Sequence, residues 1–132
     1  MDLSYTNITD VSILEHTLNL SHTNIIDVSM LEHNLKLSYT NIKDISILGN
    51  VNTLVLSGCK NITDVSMLVH TLKLSNTNIK DVSMLGHTLY LSSCQYITDV
   101  SMLGHTLNLK YCENIPKYQI VELNKTVKKL KY

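Results

Sequence analysis

The segment DVSMLGHTLYL at residues 81–91 returns as DVSMLGHTLNL at 99–109, and in related form at 10–20, 27–37 and 64–74. Repetition at a short period constrains the fold of this chain more than any other property. Aligned on a Leu-x-Leu triplet, the copies start at Met1 (in place of Leu), Leu18, Leu35, Leu54, Leu72, Leu89 and Leu107, at intervals of 17, 17, 19, 18, 17 and 18 residues. A unit this short cannot enclose a core, so successive units must stack and share one. The sequence predicts a repeat solenoid.

Within each unit the apolar positions recur in order: two Leu of the triplet, then Ile, then Val or Ile, then Leu. Leu18, Leu20, Ile25, Val28 and Leu31 make one set. The triplet alternates inward and outward, as a short half-buried strand requires. Stacked in parallel, such strands lie about 4.8 Å apart. The Asn and Thr that follow supply turn chemistry. The Asp of Asp-Val-Ser or Asp-Ile-Ser can then accept a backbone N–H and open a single helical turn.

On these residues the chain resembles the leucine-rich repeat superfamily. LKLSNTNIKDVSML at 72–85 fits the shorter form of its conserved half, with Thr77 in the usual Asn slot, and LVLSGCKNITDVSML at 54–68 fits the longer form, with Cys59 in that slot. The I-x-D-[VI]-S-x-L continuation is similar to repeats of internalin type. The resemblance implies a parallel β-sheet on one face and short 3₁₀ turns or loops on the other. Repeats of the family run to about twenty residues or more. Most here have 17 or 18. The missing residues fall between the Asp-Val-Ser turn and the next strand, so a stack flatter than the usual horseshoe is expected. Only the third repeat, through its added Asn50-Val51, recovers the first leucine-like position. Residues 1–109 form the tandem repeats; residues 110–132 hold a last irregular repeat and a C-terminal cap, with a helical turn and a final strand.

Cys59, Cys94 and Cys112 each follow the second Leu of a triplet by three residues, where other repeats have Thr6, Thr23, Thr40 and Thr77. The exchange predicts one structural ladder in which hydroxyls and thiols satisfy nearby backbone groups. Parallel side chains on adjacent rungs do not point at each other, so reduced cysteines are expected.

Five of the six histidines also share one register: His16, His33, His70, His87 and His105. A straight column lets only adjacent rings share an ion, so no metal site is expected. The column reads as a loop ladder. Protonated rings about 4.8 Å apart would repel by roughly 0.9 kcal/mol even in water-like dielectric. That repulsion should hold their pKa below the ordinary value, with stability lost as pH falls from about 7 to about 5.

Composition excludes further function classes. Eleven Lys balance eleven acids, and Arg is absent, so a nucleic-acid partner is not expected. No apolar run suits a membrane, and the polar start MDLSYTNITD does not read as a secretory signal, so an intracellular (cytoplasmic) chain is expected. No nucleophile with its base, cofactor motif or phosphate-cradling glycine loop is present; neither enzyme activity nor a cofactor is expected.

What remains is a surface. The outward row of the sheet is Asp2, Asn19, Lys36, Val55, Lys73, Tyr90 and Asn108; beside it run Tyr5, His22, Tyr39, Gly58, Asn76, Ser93 and Tyr111. Tyr5, His22 and Tyr39 make one candidate contact patch, and Tyr90 with Tyr111 another. The expected function is a protein–protein interaction module, with Tyr5, His22, Lys36, Tyr39, Val55, Lys73, Tyr90, Asn108 and Tyr111 as its face. The alternative is a structural protein that self-assembles as a homodimer through an N-terminal edge at Met1, Asp2 and Leu3.

Overall fold

The computed structural model describes residues 1–9, 11, 18–28, 31, 34–68, 71–85, 88–103 and 106–132. The Leu-x-Leu triplets form strands β1 (Leu18–Asn19), β2 (Asn34–Lys36), β3 (Thr53–Val55), β4 (Thr71–Lys73), β5 (Leu89–Tyr90) and β6 (Thr106–Asn108). Helix α1 (Lys117–Thr126) and strand β7 (Lys129–Lys131) complete the chain. All seven strands join one sheet in sequence order, every pair parallel. The chain is a repeat solenoid with a parallel sheet along one side.

Register follows the triplets. Leu18, Leu35, Leu54, Leu72, Leu89, Leu107 and Leu130 are paired one to the next across the sheet. Met1–Leu3 adds a further rung: Asp2 bridges Asn19, Leu3 N–H donates to Asn19 O at 2.8 Å, and Asn19 N–H donates to Met1 O at 3.0 Å. Strands of two or three residues have no stability of their own. What fixes them is the core beneath, where Leu35, Leu37, Ile42, Ile45 and Leu48 of one rung sit over Leu54, Leu56, Ile62, Val65 and Leu68 of the next, all buried. Each such side chain gains about 1.5–3 kcal/mol over its exposed state.

The side opposite the sheet turns tightly. Ser46, Ser66, Ser83 and Ser101 N–H donate to Oδ1 of Asp44, Asp64, Asp81 and Asp99 at 2.8–2.9 Å. Among the described residues, Leu31, Leu48, Leu68, Leu85 and Leu103 each donate N–H to the Val or Ile carbonyl three residues back and close a single turn, as in Leu68 to Val65 O and Leu85 to Val82 O, both 3.0 Å. The third repeat keeps this bond, Leu48 to Ile45 O at 2.9 Å, and extends it: Ser46–Asn50 form a 3₁₀ helix, and Val51, whose N–H reaches Leu48 O at 3.1 Å, is buried at its end. The added Asn50-Val51 thus lengthens the outer turn and fills the core position that the shorter repeats lack.

Helix α1 closes the C-terminal end of the core. Leu123 and Gln119 are its buried residues, and Gln119 Oε1 accepts the Val100 N–H at 2.8 Å. Among the described residues no helix is long and apolar enough to cross a membrane. His16, His33, His70, His87 and His105 lie outside the described residues, and with them the expected histidine ladder.

Candidate interaction surface

The turn after each strand builds the second row of the sheet face. Tyr5, His22, Tyr39, Asn76, Ser93 and Tyr111 all adopt left-handed backbone with φ between 56 and 62°, and Gly58 joins them at 76°. For a side chain with a Cβ this conformation costs about 1–2 kcal/mol. The stack compensates through hydrogen bonds between rungs: Tyr5, His22, Tyr39 and Gly58 N–H donate to Ser21, Ser38, Ser57 and Ser75 O at 2.9–3.1 Å. With Asn76 to Ser92 O at 3.0 Å and Ser93 to Lys110 O at 2.8 Å, these residues extend the sheet's bonding past the strand's end. This row of conformations was missed in the sequence, although its Gly58 and Asn76 are the residue types that accept left-handed backbone most readily.

The same geometry aligns the aromatic rings. Tyr5 and His22 stack with centroids 4.3 Å apart and planes 11° apart; His22 and Tyr39 follow at 4.6 Å and 17°. The Tyr39 ring then covers Gly58, where an added Cβ would collide with it. Three side chains separated by 17 residues at each step therefore form one ordered aromatic stack. Tyr5 and Tyr39 remain exposed at its edge.

Lys36, Val55, Lys73, Tyr90 and Asn108 occupy the adjacent row, one on each of five successive strands. Lys73 Nζ lies 5.3 Å from the Tyr90 ring centroid, a cation–π contact. Tyr111 is exposed on the second row, and no ring contact joins it to Tyr90 among the described residues. The expected aromatic patch is thus continuous from Tyr5 to Tyr39. At the other end Tyr90 keeps company with lysines instead.

Beneath this surface lies the Thr/Cys column. Thr23, Thr40 and Thr77 hydroxyls each donate to the carbonyl three residues back, at 2.7 Å. The cysteines act differently. Cys59, Cys94 and Cys112 thiols donate to Leu37, Leu74 and Leu91 O on the preceding rung, at 3.0, 3.0 and 2.8 Å. Their own N–H groups take over the local carbonyl, as in Cys59 N–H to Leu56 O at 3.1 Å. The extra residue in each cysteine repeat accompanies this altered turn. All three cysteines are free. Hydrogen bonding with the Cys94 thiol, together with burial, pushes the Cys112 thiol up, so it stays protonated. Uniform burial does not extend to the ends of the column: Thr6, on the first rung, is exposed, and Cys112, the last member, is half-buried. Thr6 nevertheless donates to Leu3 O at 2.6 Å.

Met1, Asp2 and Leu3 lie together on the first rung. Asp2 Oδ1 accepts from Ser4 N–H at 2.9 Å and from Ser4 Oγ at 2.6 Å; these bonds lower its pKa.

No protein-family model, curated protein or solved structure matches the chain.

Proposed function

We propose that this chain is a non-enzymatic protein–protein interaction module built from leucine-rich repeats, which binds through the solvent face of its sheet. The observation that carries the reading is the Tyr5–His22–Tyr39 stack. Its rings are held by left-handed backbone, by inter-rung bonds and by the Gly58 floor. A partner meeting it would have little side-chain freedom to freeze, which is the condition under which aromatic anchors contribute most to binding. The family resemblance in the Leu-x-Leu and Asp-Val-Ser positions agrees with this use of the face.

The test compares capture of partners from a native lysate by the wild-type chain, by Tyr39→Ala and by Met84→Ala, an exposed control away from the sheet face. Truncating an anchor should weaken capture by about tenfold or more. The control should match wild type. Equal capture by all three, with circular dichroism unchanged, would remove the sheet face from consideration. Solution mass distinguishes the second reading, self-association through Met1, Asp2 and Leu3. That reading is favoured by the exposure of Tyr5 at the outer end of the ring stack. It requires a dimer whose dissociation responds to Leu3→Glu.

A further inference from the structure

The chain is neutral as a whole, but its sheet face is not. Among the described residues that face carries Lys36, Lys73, Lys129 and Lys131. Its acid is Asp2, on the first rung, where the field of Lys36 reaches it. The carboxylates of Asp44, Asp64, Asp81 and Asp99 are used in the turns outside the sheet. The single salt bridge among the described residues, Lys125–Glu122, belongs to α1. Lys73, Lys129 and Lys131 are therefore exposed cations without a salt-bridge partner among those residues.

Their placement has a spacing. The sheet register puts Lys36, Val55, Lys73, Tyr90, Asn108 and Lys131 in one row across six strands. Tyr90, Asn108, Lys129 and Lys131 line one shallow depression, and Lys73 reaches over the Tyr90 ring from the other side. With rungs about 4.8 Å apart, Lys36 and Lys73 are separated by about 10 Å, and Lys73 and Lys131 by about 14 Å. An extended polypeptide rises about 3.3 Å per residue and turns alternate side chains to one face, so the gap from Lys73 to Lys131 matches about four residues on a single face, whereas the gap from Lys36, at about three, does not.

We propose that the partner contributes an extended acidic segment that crosses the strands, with carboxylates at positions i and i+4, on one face of the segment, meeting Lys73 and Lys131. Residue i+2, on the same face, lies over Tyr90. This inference rests on the interaction-module reading and specifies the chemistry of its ligand. An acidic peptide fits better than a nucleic acid. Phosphate-backbone binding draws on a dense positive field and on arginine forks, and this chain has zero net charge and no arginine.

The experiment uses the full chain and three fluorescent probes in anisotropy titrations at low and physiological salt. The first is a twelve-residue peptide with glutamates at positions 5 and 9 and a leucine at 7. The second has the same composition with its glutamates contiguous, and the third is a single-stranded oligonucleotide. The spaced peptide should bind about fivefold or more tightly than the contiguous one, and Lys73→Glu or Lys131→Glu should weaken it by about tenfold. Both lysines are exposed, and melting curves of the variants should overlay wild type. No binding, equal binding of both peptides, indifference to the charge reversals, or tighter binding of the oligonucleotide each overturns the proposal. Lysate capture that depends on Tyr39 while the spaced peptide fails would overturn this inference alone. Loss of both would overturn the module reading as well.

Discussion

Gly58 shows how closely one residue is tied to its neighbours in a stack of this kind. It combines a φ of 76° with direct cover by the Tyr39 ring, so a methyl group meets two penalties at once. Gly58→Ala is expected to cost about 1–2 kcal/mol from backbone strain, with a further loss as the ring is displaced. Thermal melting reads the first. Loss of the His22–Tyr39 stacking shift in the proton spectrum reads the second. Thr77 offers a contrasting case. Its hydroxyl shares the Leu74 carbonyl with the Cys94 thiol, at 2.7 and 3.0 Å. Thr77→Val removes one of two donors and leaves the carbonyl satisfied, so the expected loss is about 1 kcal/mol. A loss of 3 kcal/mol or more in denaturant unfolding would contradict that account.

Among the elements, α1 has a role that its sequence does not advertise. It is largely polar, and its N-cap residue Pro116 offers no side-chain cap bond. What fixes it is Leu123 in the core and the Gln119 bond to Val100 N–H. Gln119→Leu would leave that N–H buried without its acceptor, at an expected cost of about 1–3 kcal/mol. Hydrogen exchange at Val100 should accelerate more than exchange at Val82, two rungs' cores being otherwise alike. Equal protection at the two sites would show that the helix does not hold the last rung in this way.

One turn carboxylate recurs along the molecule, bonded within its own turn and facing its like on neighbouring rungs. Ser46, Ser66 and Ser101 N–H bonds, with their hydroxyls second, lower the pKa of Asp44, Asp64 and Asp99; for Asp81 the Ser83 hydroxyl leads and the N–H follows. Asp64 and Asp99 oppose the shift at Asp81 by like-charge repulsion along the column. A carboxylate with a lowered folded-state pKa contributes stability above its ordinary value of 3.8, and that contribution is lost as pH falls through the lowered value. Melting temperature should therefore decline below about pH 4. Asp81→Asn should flatten that decline, since the amide cannot titrate. An unaltered acid limb in the variant would rule out the turn carboxylates as its origin.

Periodicity alone was enough to determine the solenoid, its parallel strands and their register, because each triplet must place its two Leu in a core that one unit cannot enclose. The acidic turns and the shared column position of Thr and Cys were also legible, since the turns depend on residues a few positions apart and the column on the repeat register. The tertiary structure decided what depends on adjacency between rungs. Tyr5, His22 and Tyr39 are far apart in sequence, and only the stack's spacing turns them into ring-on-ring contacts rather than three exposed side chains. The left-handed row, the redirected thiols and the lysines gathered around Tyr90 have the same origin. Repeat spacing is local information, whereas side-chain contact between rungs depends on the turn geometry that sets how one coil lies on the next.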